Sequence, residues 1–245
     1  MAINLYGIMI ALGVAAAVVY MNGEAKRLSL PQEVAVDMAL WSVPIAVLFS
    51  RFYYVAFTWE RYRDDLVSIF KVWEGGLAIY GGVIGGALGV YALARYKKLP
   101  FLQLLDLVSP GLILGQAIGR WGNFFNGEAF GKAVTNPTLQ FFPVAVLVEG
   151  QWHMATFFYE SVFNLLGFFV LLRLRRWSYN RGHGFIFQWY LIWYGLVRLV
   201  IEGLRTDSLM WGGFRVSQVL SGLLVAASGL VMLYRLYINN RTTSP

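Results

Sequence analysis

Seven apolar stretches, at about residues 3–21, 34–57, 76–94, 101–118, 155–172, 185–204 and 216–238, recur along a chain of 245 residues. Each is close to the roughly 20 residues that the hydrocarbon core of a bilayer demands. Lipid offers no partner to a bare N–H or C=O, so runs of this kind must close their backbone hydrogen bonds within themselves, as helices. Only 13% of the residues are charged, against about a quarter in an ordinary soluble domain. The expectation is an all-α integral membrane protein of about seven transmembrane helices. It reads as a single polytopic domain over 1–245, with one longer polar segment at about 119–154.

Sorting Lys and Arg by side gives the orientation. One set of loops carries Lys26, Arg27, Arg95, Lys97, Lys98, Arg173, Arg175, Arg176, Arg181, Arg235 and Arg241; the other carries Arg61, Arg63, Lys71, Arg120, Lys132, Arg205 and Arg215. The richer set belongs in the cytoplasm, which places the N-terminus outside, the C-terminus inside and the segment around 119–154 at the outer face. The first stretch lacks the basic leader of a signal peptide, since Lys26 and Arg27 follow it, and reads as a retained span. The net charge of +7 is explained by these loops and gives no reason to expect nucleic acid as a partner.

The chain has no cysteine, which excludes disulfides, thiolate metal sites and a cysteine nucleophile of its own. His153 and His183 lie far apart and in no metal-ligand spacing, so neither a metal nor any other cofactor is expected. The glycine-rich GGLAIYGGVIGG (75–86) is not a phosphate-binding fingerprint; glycines at helix-packing intervals let backbones approach closely in lipid.

Charges inside apolar runs carry more information, because an ionised group at the bilayer centre costs at least about 2.5 kcal/mol unless paired or hydrated. Arg51, Asp37, Asp106, Glu160, Arg198 and Glu202 are such groups. Asp37 and Asp106 read best as interfacial side chains; the others line an interior cavity. In YGLVRLVIEGLRTD (194–207), Tyr194, Arg198, Glu202 and Arg205 share one helix face, with Arg198 and Glu202 paired at i,i+4. Arg205 then meets an anionic ligand, or pairs with neighbouring Asp207.

The most polar motif is GRWGNFFNGEAFG (119–131). Arg120 offers a planar fork suited to phosphate, Asn123 and Asn126 offer neutral donors and acceptors, Glu128 a carboxylate, and Gly131 room for close backbone approach. Beside a membrane this suits a phospholipid head group, or else a polar re-entrant loop satisfying its own backbone. On these residues alone, a lipid-modifying enzyme, a transporter of an anionic lipid or solute, and a protein that only binds lipid all remain open. A transporter would show discontinuous spans or two matching halves, and neither is evident.

The motif resembles the signature of bacterial prolipoprotein diacylglyceryl transferases, whose pattern is close to GRxGNFxNxExxG. Further similarities follow in family order across nearly the whole chain: NLYGIMI around Tyr6, SRFYYV with Arg51, WEGGLAIYGGVIGG (73–86), ATFFYES (155–161), YGLVRLVIEGLRTDSL with Tyr194 and Arg205, and FRVSQVLS (214–221). The resemblance implies a bacterial cell-membrane enzyme with seven spans and an outside N-terminus. Such an enzyme moves the diacylglyceryl group of phosphatidylglycerol onto the lipobox cysteine of a prolipoprotein signal peptide, forming a thioether and releasing glycerol phosphate. It further implies that Arg120 binds the lipid phosphate and that Arg205 is a second essential arginine. Glu128 would orient Arg120 or the glycerol hydroxyls, Asn123, Asn126 and Gly131 would shape the head-group pocket, and Tyr6 and Tyr194 would line the lipid cavity. Arg51, Arg198 and Glu202 complete the expected substrate-binding set.

Two departures bear on mechanism. Many family members have histidine, as the acceptor of the thiol proton, where this chain has Tyr80. A phenol with a reference pKa near 10 is a poor base at neutral pH, so Tyr80 donates a hydrogen bond or acts as a weak base, and Glu128 or the arginines' positive field are the other routes to the thiolate. Ala155 stands where a proline is expected, which leaves neighbouring His153 as an interfacial residue.

Overall fold

The computed structural model describes residues 5–178, 182–206 and 208–242. Seven long helices dominate them: α1 (Leu5–Arg27), α2 (Val34–Phe57), α3 (Ile79–Lys97), α4 (Phe101–Phe125), α5 (Thr156–Ser178), α6 (Phe185–Leu204) and α7 (Val216–Thr242). All but α3 are long and apolar enough to cross a membrane. α3 has 19 residues, and Gly81, Gly82, Gly85, Gly86 and Gly89 dilute its hydropathy. Apolar side chains point outward from the helices, with Leu40 65%, Leu223 61% and Leu230 67% exposed. This is the surface of a multi-pass, all-α membrane protein.

The chain divides into two compact units, Tyr20–Leu105 and Met1–Val19 with Asp106–Pro245. In the first, α2 and α3 pack along a row of glycines. A Cβ on Gly85 would lie 2.6 Å from the Ile45 carbonyl oxygen, and one on Gly89 would lie 2.6 Å from Ser42 Cα. The glycines of 75–86 thus allow close helix packing, as their spacing suggests. The connection before α3 is built around Arg51, which is 4% exposed. Its Nε donates to Ile69 O at 2.8 Å, Nη1 to Gly75 O at 2.6 Å and Gly76 O at 3.2 Å, and Nη2 to Ser68 O at 2.7 Å. Four carbonyls take up most of a five-donor fork, and the guanidinium lies 5.1 Å from the Tyr62 ring centre. The expected substrate-binding Arg51 is thus engaged in folding its own loop. Asp37 pairs with Lys97, as an interfacial carboxylate would.

In the second unit, the first half of α1 runs antiparallel to α4. A Cβ on Gly122 would lie 2.9 Å from Tyr6 Cδ2, one on Gly13 2.9 Å from Gly115 O, and one on Gly111 3.2 Å from Ala17 O. α5 and α6 pack beside α4, with Ile113, Leu171, Phe185, Ile186 and Tyr190 as a buried cluster, and α7 packs on α6. Ser161 Oγ donates to Ala117 O at 2.8 Å, and Gln218 Nε2 donates to Leu199 O at 2.8 Å. Asp106 reaches from α4 to the start of α6 and accepts from Gly184 N at 2.6 Å and Phe187 N at 2.9 Å. It therefore caps a helix that has no capping side chain of its own.

Two antiparallel hairpins complete this unit: β1 (Ala145–Val148) with β2 (Gln151–Met154), and β3 (Met210–Trp211) with β4 (Phe214–Arg215). α4 continues to Phe125, so Arg120 and Asn123 stand on a helix end and not in the connection where 119–154 would place them. The charge-sorting residue Arg181 and the alternative Arg205–Asp207 pairing lie outside the described residues.

The glycine row makes a paired prediction. Gly85→Ala should cost about 1–3 kcal/mol through overpacking. Gly86→Ala should be neutral or stabilising, because its Cβ would find Ala46 Cβ at an ordinary 3.9 Å. Thermal unfolding of the two variants in detergent, each against the native chain, checks both.

Candidate functional site

The site grows from three helix ends and a loop. α4 delivers Arg120 and Asn123 on its last turns, α5 delivers Glu160 one turn into the helix, and α6 delivers Tyr194, Arg198 and Glu202 as it ends. Arg120 Nη2 meets Glu160 Oε1 at 2.7 Å, while Arg198 Nη1 meets Glu160 Oε2 at 3.3 Å and Arg198 Nη2 meets Glu202 Oε2 at 2.6 Å. The carboxylates are buried, with side-chain exposures of 1% for Glu160 and 3% for Glu202, whereas Arg120 keeps 19% and Arg198 13%. The two guanidinium groups thus stand on a floor of two carboxylates. The Tyr194 hydroxyl lies within electrostatic range of all four, and Arg205 lies within such range of Arg198.

Beyond Arg120 the helix unwinds into the motif's turn. Asn126 N donates to Gly122 O at 3.1 Å, Gly127 N to Phe124 O at 3.1 Å and Glu128 N to Asn123 O at 3.0 Å. Gly127 and Ala129 have positive φ, 62° and 58°, which reverses the chain. A side-chain relay follows: Arg120 Nη1 donates to Asn123 Oδ1 at 3.3 Å, and Asn123 Nδ2 to Glu128 Oε1 at 2.9 Å, which also accepts from Asn126 Nδ2 at 3.4 Å. Glu128 therefore orients Arg120 only through Asn123; the carboxylate in direct contact with Arg120 is Glu160. Tyr6 packs against Gly122 and lies within electrostatic range of Glu128 and Arg120.

Gly131 is the junction of this loop. Its N donates to Met154 O at 2.8 Å, Lys132 N donates to Leu204 O at 3.0 Å, and Gly131 and Arg205 form an antiparallel bridge. A Cβ here would lie 2.8 Å from Thr156 Cγ2, 2.9 Å from Leu204 O and 2.9 Å from Met154 Cβ. Only glycine lets the motif strand sit between β2 and the end of α6. His153 Nδ1 lies 3.0 Å from Gly131 O, and its ring rests 4.6 Å from that of Phe130, so it serves the strand junction. Beside the turn, Phe124, Gly127, Glu128, Phe130, Val146, Leu147, Val148 and Phe157 line a pocket of about 230 Å³. One carboxylate among apolar walls suits an amphipathic ligand.

The structure gathers Tyr6, Arg120, Asn123, Asn126, Glu128, Gly131, Tyr194, Arg198, Glu202 and Arg205 in one unit. Tyr80 and Arg51 belong to the other, where Tyr80 is half-buried at the start of α3 with its ring 6.4 Å from that of Tyr53. Two contributors lie outside the site set expected from sequence. Glu160 stands out only as a charge in an apolar run, and its span distance from Arg120 and Arg198 hides the pairing. Arg215 caps the end of α6, bonding Glu202 O, and Arg205 O at 3.0 Å; as a surface cation it gives no sign of this. Among the described residues no group of three or more His, Asp or Glu side chains is placed to hold a metal ion.

A half-buried arginine pair over two buried carboxylates, with the Tyr194 hydroxyl in electrostatic range, has the chemistry to hold a phosphate. Comparison with known proteins agrees with that chemistry. The model of the family described as prolipoprotein diacylglyceryl transferase matches residues 1–234. A protein of Listeria monocytogenes serotype 4b (strain CLIP80459), named phosphatidylglycerol–prolipoprotein diacylglyceryl transferase, is 46% identical over 236 residues, covering 94% of this chain and 84% of its own. Proteins of the same name from Streptococcus suis (strain 05ZYH33) and Halalkalibacterium halodurans are 45% and 43% identical, each over 94% of this chain and over 87% and 81% of their own. On a family match and identities that run almost end to end, the chain belongs to the prolipoprotein diacylglyceryl transferase family.

Proposed function

We propose that the protein transfers the diacylglyceryl group of phosphatidylglycerol to the thiol of a prolipoprotein's lipobox cysteine, leaving a thioether and glycerol phosphate, the first step of lipoprotein maturation. The observation that carries this reading is the pair of arginines, Arg120 and Arg198, seated on the buried Glu160 and Glu202. They provide two guanidinium forks of the geometry that suits a lipid phosphate. As the carbon–oxygen bond breaks, charge builds on the departing phosphate, and fixed donors stabilise that charge without reorganising.

Around this pair the remaining residues take roles. Arg120 and Arg198 hold the phosphate and Arg205 meets its leaving oxygen, Asn123 and Asn126 fix Glu128, and Glu128 engages the glycerol hydroxyls of the head group. Gly131 keeps Arg205 against the motif loop, and Tyr6 and Tyr194 line the lipid side. The substrate brings the nucleophile, so a chain without cysteine lacks nothing the reaction needs. Tyr80 is assigned to the reaction by resemblance, as a hydrogen-bond donor; the thiol proton leaves under the arginines' field or to Glu128.

We further propose that α3 completes a seven-span topology, with the N-terminus outside and the C-terminus inside the bacterial cytoplasmic membrane, as the Lys and Arg distribution supports. The chain then acts as one transferase domain, for which a single family model running over 1–234 is the support.

Purified protein given phosphatidylglycerol and a lipobox peptide should release glycerol phosphate only when the peptide keeps its cysteine, with a matching gain in peptide mass. Release without the cysteine, or none from folded protein, overturns the reading. Arg120→Lys keeps the charge but loses the fork, and should lower transfer by about 10²-fold or more at equal protein level. Tyr80→Phe should lower turnover by about tenfold; an unchanged rate removes the phenol from the reaction. Reporter fusions at 26, 97 and 178 should read cytoplasmic and one at 62 external, and a reversed pattern overturns the topology.

A further inference from the structure

Glu160 has no place in the reading of the motif, yet its carboxylate touches both arginines. One oxygen meets Arg120 at 2.7 Å and the other meets Arg198 at 3.3 Å, and its side chain is 1% exposed. A carboxylate's two oxygens are fixed relative to one another, so the separation of the two guanidinium groups is set by this one side chain. Charge is set as well. The two arginines are balanced by Glu160 and Glu202, and the four-membered cluster is neutral before any ligand arrives.

Neutrality has a consequence for the reaction proposed above, on which this inference rests. The thiolate sulfur attacks the diacylglyceryl carbon, the S–C bond forms as the C–O bond to phosphate breaks, and the electron pair leaves on the phosphate oxygen. A phosphodiester with one negative charge thereby becomes a phosphomonoester, which carries close to −2 at neutral pH; the added charge is that of the thiolate consumed. A site with a large surplus of positive charge would hold the product more tightly than the substrate and stall. We propose that Glu160 is a positioning residue that fixes the spacing of Arg120 and Arg198 and also limits the site's positive charge, so that the monoanionic head group binds and the more highly charged product leaves.

Two soluble anions separate the effects of charge from those of the acyl chains: glycerophosphoglycerol, a phosphodiester monoanion, and glycerol phosphate. Calorimetric titration of each into the full-length protein in detergent gives a dissociation constant independent of turnover. The native protein should prefer glycerol phosphate by less than about threefold, and Glu160→Gln should raise that preference by about tenfold or more, since one unit of opposing charge at a few ångströms is removed. Glu160→Asp, which keeps the charge, should stay near the native preference while lowering kcat through misplaced arginines. Loss of affinity for both anions in equal proportion in Glu160→Gln would mark Glu160 as a purely structural residue and overturn the proposal. So would a native preference of tenfold or more for glycerol phosphate, a result that needs no variant to fold. Thiol-dependent transfer measured on the same preparation tests the underlying reaction separately: its absence would remove the transferase reading while leaving the charge measurement intact.

Discussion

The contact on which the site depends is the one between Glu160 and its two arginines. An isolated guanidinium within a span is costly, and so is an isolated carboxylate, but in contact each reduces the other's penalty. Glu160 brings α4, α5 and α6 to a common level because Arg120 and Arg198 must both reach it. The helices cannot slide past one another by a turn without stranding a charge in an apolar wall. Electrostatics thereby sets the register that apolar packing alone leaves loose, since lipid is as apolar as the helix faces it would replace.

Glycine provides the closeness that this arrangement needs. Gly13, Gly111, Gly115 and Gly122 remove side chains from the seam between α1 and α4, so Tyr6 can lie beside the helix turn that bears Arg120. Gly131 does the same for the motif strand. Its backbone pairs with Arg205, so the loop carrying Glu128 and the chain leaving α6 are hydrogen-bonded to each other. Arg215 adds a second tie by occupying carbonyls at the end of α6.

How much of this was legible in the sequence differs by kind of interaction. The helices were legible because apolar length is a local property, and the observed ends of α2 and α6 fall where the apolar runs at 34–57 and 185–204 place them. The Arg198–Glu202 pair was legible because i,i+4 spacing is fixed by helix geometry. The partner of Arg120 was not: Glu128, eight residues on, was the nearer carboxylate in sequence, while Glu160 comes from another span and reveals its place only when the helices assemble. The contacts of Arg51 were hidden in the same way, since the carbonyls of Ser68, Ile69, Gly75 and Gly76 that it meets lie 17 to 25 residues on in sequence.

The cap that Asp106 places on α6 has a mechanical meaning. A helix is stiff along its axis, and Phe187 and Arg198 are separated by about 17 Å of that axis at 1.5 Å per residue. Asp106 grips the first turn through Gly184 N and Phe187 N, while Glu160 grips Arg198 near the other end. α6 is thus a strut pinned at both ends by carboxylates from neighbouring helices. The position of Arg198 along the helix axis is consequently set in part from the opposite end of α6.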